Sequence, residues 1–226
     1  MFKKIGIVGT GKTGSFVQSL LEDHHCLKVG GAFNSKNPLD LTLAKSLDGL
    51  IVFVNAETLT KIMPILLKTN IPIVCGTTGF NYQHYEADFK IRNSSFIYGS
   101  NFSLGVHATR KMLEVLNKVK PLLSPYKIEI KEIHHTKKLD APSGTAKSME
   151  KWIDETVNIQ SIREGDVVGY HELTLSTEFE TIKISHNAHS REVFAQGAIN
   201  VMETILTKEK QFSYLSVDQF IDLNYF

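Results

Sequence analysis

The chain has 226 residues, 42% of them hydrophobic, and its 25 Lys and Arg against 24 Asp and Glu leave a net charge of +1. That length supports one large domain or two modest ones with real cores, and the near-neutral balance excludes a global field directed at nucleic acid or an acidic membrane surface. The distant cysteines Cys26 and Cys75 form no CxxC pair and argue against a disulfide framework or structural zinc; no apolar run reaches membrane-spanning length, so a soluble protein of a reducing cytoplasm is expected, with no membrane or nucleic-acid partner.

Residues 3–8 form a short apolar run ending at Gly9-Thr10-Gly11-Lys12-Thr13-Gly14, after which Phe16, Val17, Leu20 and Leu21 recur at helical spacing. Strand, glycine turn and helix in that order let a backbone approach a pyrophosphate held at the positive end of the helix. Gly9 through Gly14 is therefore a candidate dinucleotide site, although a turn kept for packing alone would read the same. Gly6 to Thr13 also fits the GxxxxGKT loop of nucleoside triphosphatases. That reading puts Gly6 in a loop, leaves only five residues for its central strand, and finds Asn55 after the strand at 49–54 where a metal-binding aspartate is needed.

Residues 27–33 read as the second strand. Where an NAD-specific fold sets an acid on the ribose hydroxyls stand Asn34 and Ser35, followed by Lys36. The missing carboxylate removes repulsion toward a 2'-phosphate, and Lys36 with Lys12 could attract one; Lys36 reads equally well as a solvated surface lysine. The expected cofactor is NADPH or NADH. Strand 49–54, helix 57–69, strand 71–75, helix 82–92 and strand 95–98 follow, and this alternation implies a doubly wound parallel sheet with helices on both faces. Gly76-Thr77-Thr78-Gly79 and Gly99-Ser100-Asn101-Phe102-Ser103 end two of the strands. They are candidate walls for the nicotinamide half, or ordinary strand-to-helix turns with capping hydroxyls.

After a helix at 104–120, closed by Pro121 and Pro125, the pattern changes. Residues 127–133, 172–175 and 179–185 alternate polar and apolar, which suits a mixed or antiparallel sheet with one buried face. The fold class is thus α/β, a Rossmann-type sheet plus an α+β domain with a mixed sheet. The expected boundaries are 1–104, 105–196, and a segment 197–226 whose apolar tail returns to the first domain.

Between the strand at 127–133 and a helix at 146–157 lies Glu132-Ile133-His134-His135-Thr136-Lys137-Lys138-Leu139-Asp140-Ala141-Pro142-Ser143-Gly144-Thr145-Ala146. Pro142 fixes the backbone, Ser143 is a favoured N-cap, and Gly144 and Thr145 present free N–H groups at a helix start. That is an anion cradle, to which Lys138 adds a full charge; Lys137 is assigned to solvent. His134 or His135, with an ordinary pKa of about 6.5, is suited to release a proton at neutral pH. Taken singly, a histidine pair at a strand end is more often structural, and Ser-Gly-Thr can simply cap a helix. The tandem histidines face opposite ways with no further ligand motif, so no metal is expected.

The same run resembles the signature of the dihydrodipicolinate reductase family of bacterial lysine and diaminopimelate biosynthesis. The resemblance extends to the glycine turn, to Gly76-Thr77-Thr78-Gly79-Phe80, to Ser100-Asn101-Phe102-Ser103-Leu104-Gly105, and to residues 186–198 with Arg191 and Gly197. It implies a Rossmann domain with a substrate-binding and tetramerisation domain, hence a homotetramer, and reduction of a cyclic dicarboxylate imine by NADPH or NADH. It makes His134 the general acid, places Lys138 beside it in the catalytic set, has His135 and Lys138 bind the substrate, and has Ser143, Gly144 and Thr145 hold one carboxylate. Arg191 receives no role. The chain departs from the family pattern in being short between strands two and three, in Val54-Asn55 where an Asp-Phe-Ser/Thr turn is expected, and in Asn34. A non-catalytic NAD(P)-binding regulatory module on the same fold is the alternative; the intact His-His-x-x-Lys and Ser-Gly-Thr speak against it.

Overall fold

The computed structural model describes residues 1–208 and 213–225; residues 209–212 and Phe226, all within the expected 197–226 segment, lie outside the described residues. The chain divides into two compact units, Met1–Ser103 with Arg191–Phe226, and Leu104–Ser190.

The first unit runs β1 (Lys3–Val8), α1 (Lys12–Glu22), β2 (Leu27–Phe33), α2 (Leu41–Lys45), β3 (Gly49–Val52), α3 (Ala56–Lys68), β4 (Ile73–Cys75), a 3-10 turn (Tyr82–Tyr85), α4 (Glu86–Lys90) and β5 (Phe96–Tyr98). Its strands lie in the order β10-β5-β4-β3-β1-β2 and every neighbouring pair is parallel; β10 is Tyr214–Ser216, near the end of the chain. β3 and β4 are buried along their whole length, as strands covered on two faces must be. One core carries Val17 and Leu21 with Ala198, Met202 and Phe220, and a second carries Leu59, Met63 and Leu66.

The helix expected at 82–92 is broken. Aromatic side chains lose rotamer freedom in a helix, and here they stack instead, Tyr82 on Tyr98 with centroids 4.4 Å apart and Phe80 on Tyr85 at 5.7 Å. The short helix α2 was not foreseen; Asp40 starts it by accepting from the Leu43 amide at 2.8 Å.

The glycine turn after β1 is dictated by sterics. Gly9 has φ +96°, and a Cβ built on Gly14 would lie 1.7 Å from the Gly9 carbonyl oxygen, whereas one on Gly11 meets nothing within 4 Å. Gly14→Ala must lever α1 off the turn and is expected to cost about 1–3 kcal/mol. Gly11→Ala, which only alters a cap, should cost under about 1 kcal/mol. Equal urea midpoints for the two variants would refute this account.

The second unit runs α5 (Leu104–Val119), β6 (Lys127–His134), α6 (Gly144–Ile153), β7 (Asn158–Arg163), β8 (Gly169–Ser176) and β9 (Thr181–Ala188). Its sheet has the order β7-β6-β8-β9, parallel at β6/β7 and antiparallel elsewhere, so the mixed sheet is borne out. Leu113 and Leu116 of α5 and Ala146, Met149 and Ile153 of α6 pack with Ile128, Ile130, Leu173 and Leu175 on one face. α6 stops at Ile153 rather than at residue 157, because Asp154 turns into the left-handed region at φ 50°. The segment Arg191–Phe226 then supplies α7 (Glu192–Thr207), β10 and α8 (Val217–Tyr225) to the first unit. Among the described residues no helix is long and apolar enough to cross a membrane.

Candidate active site

The inward positions of β6 read Ile128, Ile130, Glu132 and His134. The first two are core, and the next two, still buried at 0% and 7% exposure, are ionisable. Strand register extends this change of character across the sheet: His171 of β8 lies opposite Glu132, His186 of β9 lies opposite His171, and Arg163 of β7 lies beside His134. One end of an apolar sheet face therefore collects a carboxylate, a guanidinium and three imidazoles.

A fully buried carboxylate must be matched, and Glu132 is. Its Oε2 accepts a hydrogen bond from His134 Nδ1, while Oε1 accepts from Arg163 at 2.9 Å and from the Ser143 amide at 3.3 Å. Burial pushes the Glu132 carboxyl up, but the bonds from Arg163 and His134 prevail and hold it below the usual range. His134 is displaced downward, by burial first, with Lys138 and Arg163 adding to that and Glu132 opposing it. Because Glu132 holds Nδ1–H, the lone pair of the neutral ring, and the acidic proton of the charged one, sit on Nε2. A Cβ on Gly169 would lie 3.1 Å from that Nε2, so β8 has glycine there. His171 is buried and pushed down to about 3 by burial and by His134; its Nε2 lies 3.1 Å from Ser143 Oγ. Burial also lowers His186. Glu132, His134 and His171 could between them offer atoms to a cation within 4.8 Å. Glu132 is already neutralised by Arg163 and committed to His134, so the set does not fit one.

The other predicted residues of this unit occupy the loop from β6 to α6. Ser143 is buried and its Oγ accepts from the Ala146 amide at 3.2 Å, so this hydroxyl is a helix cap turned toward His171. Gly144 and Thr145 begin α6, where amides have no intrahelical acceptor. A Cβ on Gly144 would meet nothing within 4 Å, which leaves that backbone open to a ligand. Lys138 Nζ rests on Asp140 Oδ1 at 2.7 Å, and His135 is half-buried just beyond the strand, its amide donating to Val167 O at 2.7 Å. Arg163, whose place sequence reasoning missed, also donates to the carbonyls of Asp140 at 2.5 Å and Lys138 at 3.3 Å.

In the first unit the predicted cofactor residues lie after the carboxyl ends of parallel strands: Gly9, Thr10, Gly11, Lys12, Thr13 and Gly14 after β1, Asn34 and Ser35 after β2, Gly76, Thr77 and Thr78 after β4, and Ser100, Asn101, Phe102 and Ser103 after β5. Asn34 Nδ2 donates to Thr10 Oγ1 at 3.1 Å and joins two of these turns, while its Oδ1 accepts the amides of Lys36 and Asn37. α1 follows its N-cap Gly11 with no side-chain cap and no acidic residue in its first turn, so the positive end of the helix over this glycine turn suits a pyrophosphate. Thr77, Phe102 and Ser103 are instead buried, and Phe102 packs edge-on against Phe53 at 6.2 Å. Arg191 stands at the N-cap of α7.

Residues 3–102 match the family model described as dihydrodipicolinate reductase, N-terminus, and residues 105–220 the one described as dihydrodipicolinate reductase, C-terminus. A 4-hydroxy-tetrahydrodipicolinate reductase of Alkaliphilus oremlandii is 32% identical over an alignment of 222 positions, gaps included, that covers 88% of this chain and 90% of the relative. One from Rickettsia bellii is 33% identical over an alignment of 242 positions, gaps included, that covers 97% of this chain and 95% of that one. Among solved structures, the dipicolinate-bound dihydrodipicolinate reductase of Paenisporosarcina sp. TG-14 shares the fold with a TM-score of 0.79 at 19% identity, covering 97% of this chain and 99% of that one.

Proposed function

The chain belongs to the dihydrodipicolinate reductase family, and on that premise we propose that His134 is the proton donor in its reaction. The protein is a nicotinamide-dependent oxidoreductase that reduces 4-hydroxy-tetrahydrodipicolinate. A bound nicotinamide supplies a hydride to the conjugated ring, water being lost from the 4-hydroxy substrate. The chain's own residues supply the matching proton and hold the ring. His134 Nε2 delivers the proton to the carbon beside the one reduced, with Glu132 fixing the tautomer throughout. Burial lowers that imidazole's proton affinity, and a dianionic substrate beside it raises it, so the acid is armed when it is needed. Lys138 and His135 bind the dicarboxylate, and the open amides of Gly144 and Thr145 hold one carboxylate. The observation that carries this reading is the buried Glu132–His134 pair one loop away from a free helix start.

Asn34 in place of an acid favours acceptance of NADPH as well as NADH, since no carboxylate at that position repels a 2'-phosphate, and two exposed lysines follow close on the bonded pair, Lys36 after Asn34 and Lys12 after Thr10. We further propose the boundaries 1–104, 105–196 and 197–226 as functional parts, and a homotetramer built on the outer sheet face of the second unit. That face carries Glu129, Lys131, Gln160, Glu172, Thr174 and Lys183 around an open groove of about 550 Å³; a sedimentation mass of one chain would exclude the assembly. The activity is tested by supplying dihydrodipicolinate synthase, its substrates and either dinucleotide. Loss of nicotinamide absorbance is expected, and none with either would end the reading in favour of a module that only binds.

A further inference from the structure

We infer that Arg163, acting through Glu132, is the positioning residue that locks the acid and the substrate loop into one geometry. The inference rests on the reductase reading above. Arg163 is on the edge strand β7, outside the run that carries the other polar groups, yet one guanidinium reaches three groups beyond its own strand. It bonds Glu132 Oε1 at 2.9 Å, the Asp140 carbonyl at 2.5 Å and the Lys138 carbonyl at 3.3 Å. Glu132 passes the connection on in two directions, to His134 Nδ1 and to the Ser143 amide. The loop that presents Lys138 at one end and the α6 amides at the other is thereby tied at residues 138, 140 and 143 to the carboxylate that orients the imidazole.

A planar fork with several fixed donors is needed for that span, and a lysine could satisfy only the charge. The groups facing His134 are Glu132 on its own strand, Arg163 on β7, Lys138 on the loop and His171 on β8. Arg163 and Lys138 disfavour protonation of His134, and Glu132 favours it. Removing either member of the Arg163–Glu132 pair must therefore move the acid in opposite directions. A residue that only held the fold together would move it in neither.

The test is the pH dependence of turnover for wild type, E132Q, R163M and R163K, with Trp152 fluorescence reporting the folded second unit. Turnover by a general acid falls as pH rises through its pKa. Without the carboxylate, E132Q should fall off at a pH lower by roughly one unit; without the cation, R163M should fall off later by a similar amount. Both should lose at least about tenfold in kcat, as partners that orient an active histidine do. R163K should leave the pH limit in place and raise KM, because charge is kept while the loop is released. Unmoved limits, or limits shifted the same way, would overturn the inference. Should E132Q or R163M not fold, R163K decides alone, and a wild-type KM for it is the overturning result. Inactive wild-type protein would instead count against the reductase reading itself.

Discussion

His134→Gln is expected to lower kcat by about 10²-fold or more, equivalent to at least ~3 kcal/mol of transition-state stabilisation. Glutamine keeps a similar volume and its amide can still donate to Glu132, but it has no proton to release at neutral pH. The residue pattern alone leaves His134 and His135 both open for the role, the family resemblance names His134, and the surroundings of the two rings differ. His134 is the last inward residue of β6 and its ring is held by a buried carboxylate, while His135 is half-buried past the strand's end. His135→Gln should accordingly act more on KM than on kcat. Dinucleotide affinity, measured by quenching or calorimetry, should be unchanged in both, since the glycine turn belongs to the other unit. Near-wild-type kcat in His134→Gln would move the acid elsewhere.

The second large effect is on stability toward acid. A His171 imidazole whose pKa falls from 6.5 to about 3 stays neutral in the folded chain while the unfolded chain takes up a proton. The unfolded state thus binds more protons below pH 6.5, and stability declines as pH falls from there toward 3; above 6.5 the group contributes no pH dependence. At about 1.4 kcal/mol per pH unit the total penalty is of order 5 kcal/mol. Glu132 adds to the loss only at lower pH, since its depressed carboxyl stabilises the fold above its unfolded pKa and that support vanishes as pH falls through the folded value. His171→Gln, which preserves a polar neighbour for Ser143, should therefore flatten the fall between pH 6.5 and 4.5 by up to ~1.4 kcal/mol per unit. Trp152, the single tryptophan, lies on α6 and reports urea unfolding of this unit. Parallel wild-type and variant slopes would show that His171 is not the titrating group.

What was legible in the sequence follows from distance along the chain. Period-two alternation at 127–133 and the glycine turn after a short apolar run are local signals, and they yield the two sheets. The Ser143 cap is local too, and the structure shows it bonded as a cap. Glu132 stood in the quoted run without a role; two residues before His134 on an alternating strand, it could have been assigned to the same buried face. Arg163 and His171 could not. Their place depends on how β7 and β8 register against β6, and Asn158–Arg163 alternates too weakly, with every second side chain only half-buried at an edge, to announce a strand. α2 leaves no local signal because a five-residue helix has too few turns for periodicity, and the helix expected at 82–92 divides into a 3-10 turn and α4 because aromatic packing overrides helix winding.

The interrupted first unit has a consequence for the order of assembly during synthesis. Val17 and Leu21 of α1 share a core with Ala198, Met202 and Phe220, and the edge strand β10 lies beyond residue 213. A nascent chain that has emerged only to Ser190 already contains every strand and helix of the second unit. The earlier-made glycine turn, by contrast, still lacks α7, α8 and β10 to close the core behind it. The unit that carries His134 can thus be completed before the unit that carries the glycine turn, although it is translated later.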